Sequence, residues 1–242
     1  MDDVPVYGRE GRLGAIIPAN NAVIEPEWWS ALPDGVALYA TRIMARGELT
    51  PQAVRAMERH VDRAAEELAA TGVDVIAYCD MVTTFIMESG WNEAKVAEIK
   101  ANTGTPVISA WTALRDALAH LGVTRFALGT PYPLAIHRLA PPFFAARGYE
   151  VTDHATLDIV KMRDVCKISG GTVTRFVKGL DPSGADAVVL LATDLPTFPV
   201  LADIERALGC PLLTSNQTLL WSALRAAEVS AGVKNLGRLF EV

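Results

Sequence analysis

Asp80 and Asp194 are the two charged residues in a set of loops otherwise rich in hydroxyl and amide groups, and each closes a short apolar run, VDVIAYCD and ADAVVLLATD. A carboxyl group at a strand end inside a cleft is suited to general acid or base work, with apolar neighbours such as Met81 and Val82 raising its pKa. The same residue type also makes Asx turns and helix caps. Asp194 carries the same pair of readings: a second carboxyl facing Asp80, or a cap on a helix beginning near Pro196. Cys79 stands next to Asp80, and successive residues on a strand point to opposite faces, so a cleft-facing Asp80 turns Cys79 into the core. Tyr132 follows Pro131 in a turn, where its phenol could donate to a substrate oxygen or only cover an interface between elements.

The elements that must position these residues follow a βαβ rhythm. LGAIIP, VDVIAY and PVISA read as buried strands, separated by helical stretches in TPQAVRAMERHVDRAAEELAATG and WNEAKVAEIKANTG. Thr50 before Pro51 is an N-cap and N1 pair, and Gly72 is a stop. The order then repeats: residues 12–21 are echoed by 125–133, 73–80 by 185–194, and 104–118 by 209–224. The fold class is therefore α/β, with two pseudo-symmetric lobes, each a parallel sheet flanked by helices. The first lobe is assigned residues 1–120 with the C-terminal segment 217–242, and the second 121–216.

Loops at the C-terminal ends of matched parallel strands face each other across a cleft, where open α/β sheets place ligands. Neutral donors there suit a small anion or a developing oxyanion, which points to a small-molecule carboxylate or carbonyl substrate. Neither GxGxxG nor a Walker pattern is present, so no nucleotide cofactor is expected. The three cysteines lack CxxC spacing and the four histidines lack a paired-ligand pattern, so neither a metal nor a disulfide framework is expected. A net charge of −6 with scattered Lys and Arg argues against nucleic acid. No apolar run reaches the roughly 20 residues of a membrane span, and no signal-peptide order opens the chain. A cytoplasmic protein with no membrane partner is expected. Trp28 and Trp29 are assigned either to the pocket wall or to a homo-oligomer contact, and His60, His120 and His137 to surface or boundary positions. His154 has no clear placement.

These loops carry a resemblance to the aspartate/glutamate racemase superfamily, in its maleate isomerase and arylmalonate decarboxylase branch. RLGAIIPANNAVIEPE, DVIAYCDMVTTF, LGTPYP and LATDLPTFPVLADIERALGCPLLTSNQTLLWSALR carry it across nearly the whole chain. The resemblance implies two α/β lobes, a site between them, no cofactor, and usually one cysteine per lobe. It further implies that Asn21 binds a substrate carboxylate, that Tyr132 donates to a carboxylate or enolate oxygen, and that Thr193 sits with its backbone N–H beside the reacting centre. Met81, Val82, Ala192 and Ser215 fall at substrate-contacting positions. The departures are specific: with Tyr78 and Phe85 in register, Asp80 stands where isomerases of this type have the first cysteine, and Ala192 stands at the second. Thiolate addition and two-thiol proton transfer are thereby disfavoured. Two enzymatic expectations follow: enolate-type decarboxylation or isomerisation with Asp80 as acid or base, or hydrolysis or hydration of an amide, imide or lactone with Asp80 activating water. A third expectation is a binding protein without turnover.

Overall fold

The computed structural model describes residues 7–241. Eight strands form two four-stranded sheets. The first holds β1 (Gly11–Pro18), β2 (Val36–Ile43), β3 (Val75–Tyr78) and β4 (Val107–Ser109) in the order β2-β1-β3-β4. The second holds β5 (Arg125–Thr130), β6 (Glu150–Thr156), β7 (Ala187–Leu190) and β8 (Leu212–Thr214) in the order β6-β5-β7-β8. Every pairing is parallel, and the central strands are buried on both faces, which explains why VIAY and AVVL are continuous apolar runs rather than alternating ones.

The helices are α1 (Ile24–Ala31), α2 (Pro51–Glu58), α3 (Val61–Ala70), α4 (Thr83–Ile86), α5 (Trp91–Thr103) and α6 (Ala110–His120) in the first half. The second half has α7 (Leu134–His137), α8 (Ala140–Ala145), α9 (Met162–Val165), α10 (Gly170–Lys178), α11 (Phe198–Leu208) and α12 (Ser215–Ala226). The three sequence echoes coincide with the strand pairs β1/β5, β3/β7 and β4/β8, which occupy equivalent places in the two sheets. The helices after the last strand of each sheet match as well. Ser109 and Thr112 form a capping box at α6, and Thr214 and Gln217 form one at α12, so four terminal donors are satisfied reciprocally. The two helices pack on each other, and α12 also reaches β1, β3 and β4.

Three expectations change on contact with the structure. The stretch 50–72 is two helices, with the chain turning at Arg59 and His60, although Thr50 and Pro51 start the first as expected. Trp28 is fully buried and donates its indole N–H to the Asn216 carbonyl at 3.1 Å, so it is core and neither pocket wall nor contact surface, while Trp29 is exposed. His137 is buried rather than peripheral: Thr130 Oγ1 lies 2.9 Å from its Nδ1, and its Nε2 lies 3.0 Å from Nδ1 of His154. His154 itself stands on the edge strand β6. Among the described residues, no helix is long and apolar enough to cross a membrane.

Candidate active site

The loops leaving β1, β3, β5 and β7 converge on one cavity of about 40 Å³. Pro18, Asn20 and Asn21 enter it from the first loop, Asp80, Met81 and Val82 from the second, Tyr132 from the third, and Thr193 and Asp194 from the fourth. The remaining wall is apolar, and it comes from segments that strand-end reasoning passes over: Ala45 and Leu49, Val54 and Met57 of α2, and Ile159, Met162 and Val165 around α9. Neither residues 44–57 nor 159–165 carry a polar motif, so only the amphipathic face of α2 hints at this use. Ala192 and Ser215 are not in the wall. They stand behind it, with the Ala192 N–H donating to Ser215 Oγ at 3.1 Å.

Asp80 and Cys79 part company as the strand alternation requires. Asp80 lines the cavity, whereas Cys79 is fully buried in the hydrophobic core with its thiol donating to the Ala77 carbonyl at 3.4 Å. Burial, and then the Asp80 charge, push that thiol far above its usual range, so a thiolate there is strongly disfavoured. Asp80 also makes the turn contact considered for it: its Oδ1 accepts the Thr83 N–H at 2.9 Å and starts the short helix α4. The two readings of Asp80 therefore coexist. Desolvation lifts its carboxyl to about 6 against the opposing pull of these backbone N–H groups.

Asp194 does not cap the following helix, which begins at Phe198 with Thr197 before it. Its Oδ2 accepts from Asn20 Nδ2 at 3.2 Å. Burial raises its carboxyl to about 7, and the Asp80 charge adds to the rise. Tyr132 is held well above the usual phenol range by burial first and then by the charges of Asp80 and Asp194. No described residue hydrogen-bonds its hydroxyl. Thr193 ties the loops together: its hydroxyl donates to the Cys79 carbonyl at 2.9 Å and accepts from Asn21 Nδ2 at 3.2 Å. Asn21 Oδ1 in turn accepts the Val23 and Ile24 N–H groups. The Thr193 hydroxyl is thus committed to the frame, while its backbone N–H has no described protein acceptor.

Two groups near the cavity escaped notice in the sequence. Glu58, at the end of α2, accepts a hydrogen bond from the Tyr78 hydroxyl; burial raises its carboxyl to about 8, with a further contribution from Asp80. Its position in a charged helix gives no hint of burial. Cys166 directs its thiol to the Asn20 carbonyl at 3.8 Å and the Arg163 carbonyl at 3.2 Å, just outside the wall. No group of three or more His, Cys, Asp or Glu side chains among the described residues could hold a metal ion.

Comparison with known proteins agrees with this architecture. A maleate isomerase of Geobacillus stearothermophilus is 30% identical over 241 residues, covering 94% of this chain and 96% of that protein. An arylmalonate decarboxylase of Bordetella bronchiseptica is 25% identical and covers 95% and 96%. The solved structure of a Nocardia farcinica maleate cis-trans isomerase mutant with a covalently bound succinylcysteine intermediate superposes with a TM-score of 0.89 at 27% identity, covering 95% of this chain and 98% of that one. Isomerases and lyases are thus the enzymes it is similar to; no hydrolase is among these relatives. The arylmalonate decarboxylase family matches residues 13–240, so the chain belongs to that family and is an enzyme of its isomerase and lyase kind.

Proposed function

We propose that this protein is a cofactor-independent decarboxylase or isomerase of a small carboxylate or carbonyl compound, in which Asp80 replaces the family thiol as general acid and base. The observation that carries the reading is that Asp80, not Cys79, lines the cavity, with a carboxyl lifted to about 6. A general acid or base works best with a pKa near the operating pH, and desolvation supplies that match here.

In this mechanism, the substrate carbanion is held as an enolate whose oxygen accepts from the Tyr132 hydroxyl and the Thr193 backbone N–H. Both donors lack a competing protein partner among the described residues. Preorganised donors aimed at developing negative charge in a largely apolar cavity are worth more than in water. Asp80 in its protonated form delivers a proton to carbon after CO₂ leaves; for isomerisation its ionised form withdraws a proton from carbon and, now protonated, returns it. Asn21 has its oxygen engaged with Val23 and Ile24, which aims its amide N–H groups toward Thr193 and the cavity. The covalent route named for the Nocardia enzyme requires an accessible thiolate. A buried Cys79 and a methyl group at Ala192 do not offer one.

The test is turnover of a panel of malonates, maleate and hydroxy acids followed by mass spectrometry, in which loss of CO₂ marks a lyase and unchanged mass with altered retention marks an isomerase. Asp80→Asn is expected to reduce kcat by about 10²-fold or more, the usual contribution of a positioned acid or base, while Cys79→Ala leaves kcat within a few-fold. The reverse pattern would overturn the assignment.

A further inference from the structure

The cavity that holds Asp80 and Asp194 contains two carboxyl groups and no cation. Asp80 and Asp194 are 6% exposed and part-buried respectively, on matched loops of the two lobes, and no Lys, Arg or His lines the space between them. Two carboxyls in a desolvated site share protons or require a countercharge, because isolated buried charge is costly. No described residue lining the cavity supplies a countercharge. A doubly anionic ligand would add to the conflict.

A second observation points to what is missing. The Tyr132 hydroxyl, on a residue 5% exposed, lines the same cavity without a described partner and feels both carboxyls. The rest of the wall is soft and apolar, with Met57, Met81 and Met162 among its residues. Methionine walls adapt in shape and are polarisable. A delocalised cation is more weakly hydrated than a compact ammonium, so it is cheaper to transfer into such a space, and its planar fork of N–H groups matches carboxylate geometry.

We propose that the substrate of this site carries a compact amidinium-type cation that binds between Asp80 and Asp194, rather than being a dicarboxylate. The inference deepens the reading of this cavity as the reaction site and rests on it for the word substrate. Such a cation withdraws electrons from an adjacent carbon and so favours proton withdrawal by ionised Asp80, the isomerase branch of the chemistry assigned to it. Binding requires ionised carboxyls, so it releases protons and strengthens as pH rises through the range about 6 to 7 in which the two groups titrate.

Acetamidinium, acetamide and acetate have nearly the same shape and carry charges of plus one, zero and minus one. Their affinities for the intact protein can be measured by NMR titration without any turnover. At pH 8 acetamidinium is expected to bind at least about tenfold more tightly than acetamide or acetate, and to lose about tenfold at pH 5. Asp194→Asn should weaken acetamidinium about tenfold and leave acetamide unchanged. Acetate or acetamide binding as tightly as acetamidinium, or acetamidinium binding untouched by both pH and Asp194→Asn, overturns the proposal. The comparison of the three probes on the unmodified protein stands even if the variant fails to fold. Turnover of maleate or a malonate that depends on Asp80, together with no preference for acetamidinium, would remove this inference while leaving the proposed function in place.

Discussion

Asp194 holds its charge at a cost that a neutral isostere removes. A carboxyl whose folded pKa lies above its unfolded value binds more protons in the folded state, so stability falls as pH rises from the unfolded pKa to the folded one. For Asp194 that interval runs from 3.8 to about 7. Asp194→Asn is therefore expected to stabilise the protein at pH 8 by up to about 4 kcal/mol at roughly 1.4 kcal/mol per pKa unit, with the gain vanishing near pH 4. Urea titrations at the two pH values test this, and an equal effect at both would refute it. Ala192 carries another local cost, a φ of +100° in the left-handed region while its N–H is held by Ser215. Ala192→Gly should raise stability by about 1 kcal/mol, because glycine takes that conformation without a Cβ clash; thermal melts report it. Strand alternation separates Asp80 from Cys79, and the register of Tyr78 and Phe85 in the family resemblance chose Asp80 for the cleft, where it lines the cavity. The sequence could not reveal the backbone of Ala192 or the burial of His137, because both depend on contacts between separate elements, with Ser215 for one and with Thr130 and His154 for the other.

At the level of elements, two side chains of α1 fasten it to the second lobe, Trp28 through the Asn216 carbonyl and Glu27 through three donors. Glu27 accepts N–H groups from Thr197 and Phe198 at the start of α11, and Asn216 Nδ2 of α12 donates to its other oxygen. Burial raises its carboxyl, and these three donors oppose the rise. Glu27→Ala would strand all three and should cost about 3 kcal/mol or more, the order expected for buried donors left without partners; chemical denaturation measures it, and a loss below about 1 kcal/mol would show that water replaces the carboxylate. Six of the eight strands and the repeat were readable because their apolar runs recur in the same sequence along the chain, whereas the partly exposed edge strands β2 and β6 were not. The break between α2 and α3 was not, since neither glycine nor proline marks Arg59 and His60. That break lets α2 place Val54 and Met57 over the cavity while α3 packs on the first sheet. The cavity's apolar wall was accordingly the least legible part of the site.

For the molecule as a whole, Asp80, Asp194 and Glu58 all have raised carboxyl pKa values, at about 6, about 7 and about 8. The sign is the same for each, so conformational stability should decline between about pH 5 and pH 8, and a melting temperature that rises over that interval would contradict the assignment. The Thr193 hydroxyl, fastened to Asn21 and to the Cys79 carbonyl, knits loops from both sheets together at the cavity. Across the cavity the chain closes differently. Residues 47–49 and 160–162 meet through the Leu49 N–H on the Val160 carbonyl and the Met162 N–H on the Gly47 carbonyl, around a bridge between Glu48 and Lys161. Leu49 and Met162 belong to the cavity wall, so this short seam of two backbone hydrogen bonds is part of the enclosure. Parting this seam would break two backbone hydrogen bonds and open the wall at Leu49 and Met162 without swinging the two sheets apart.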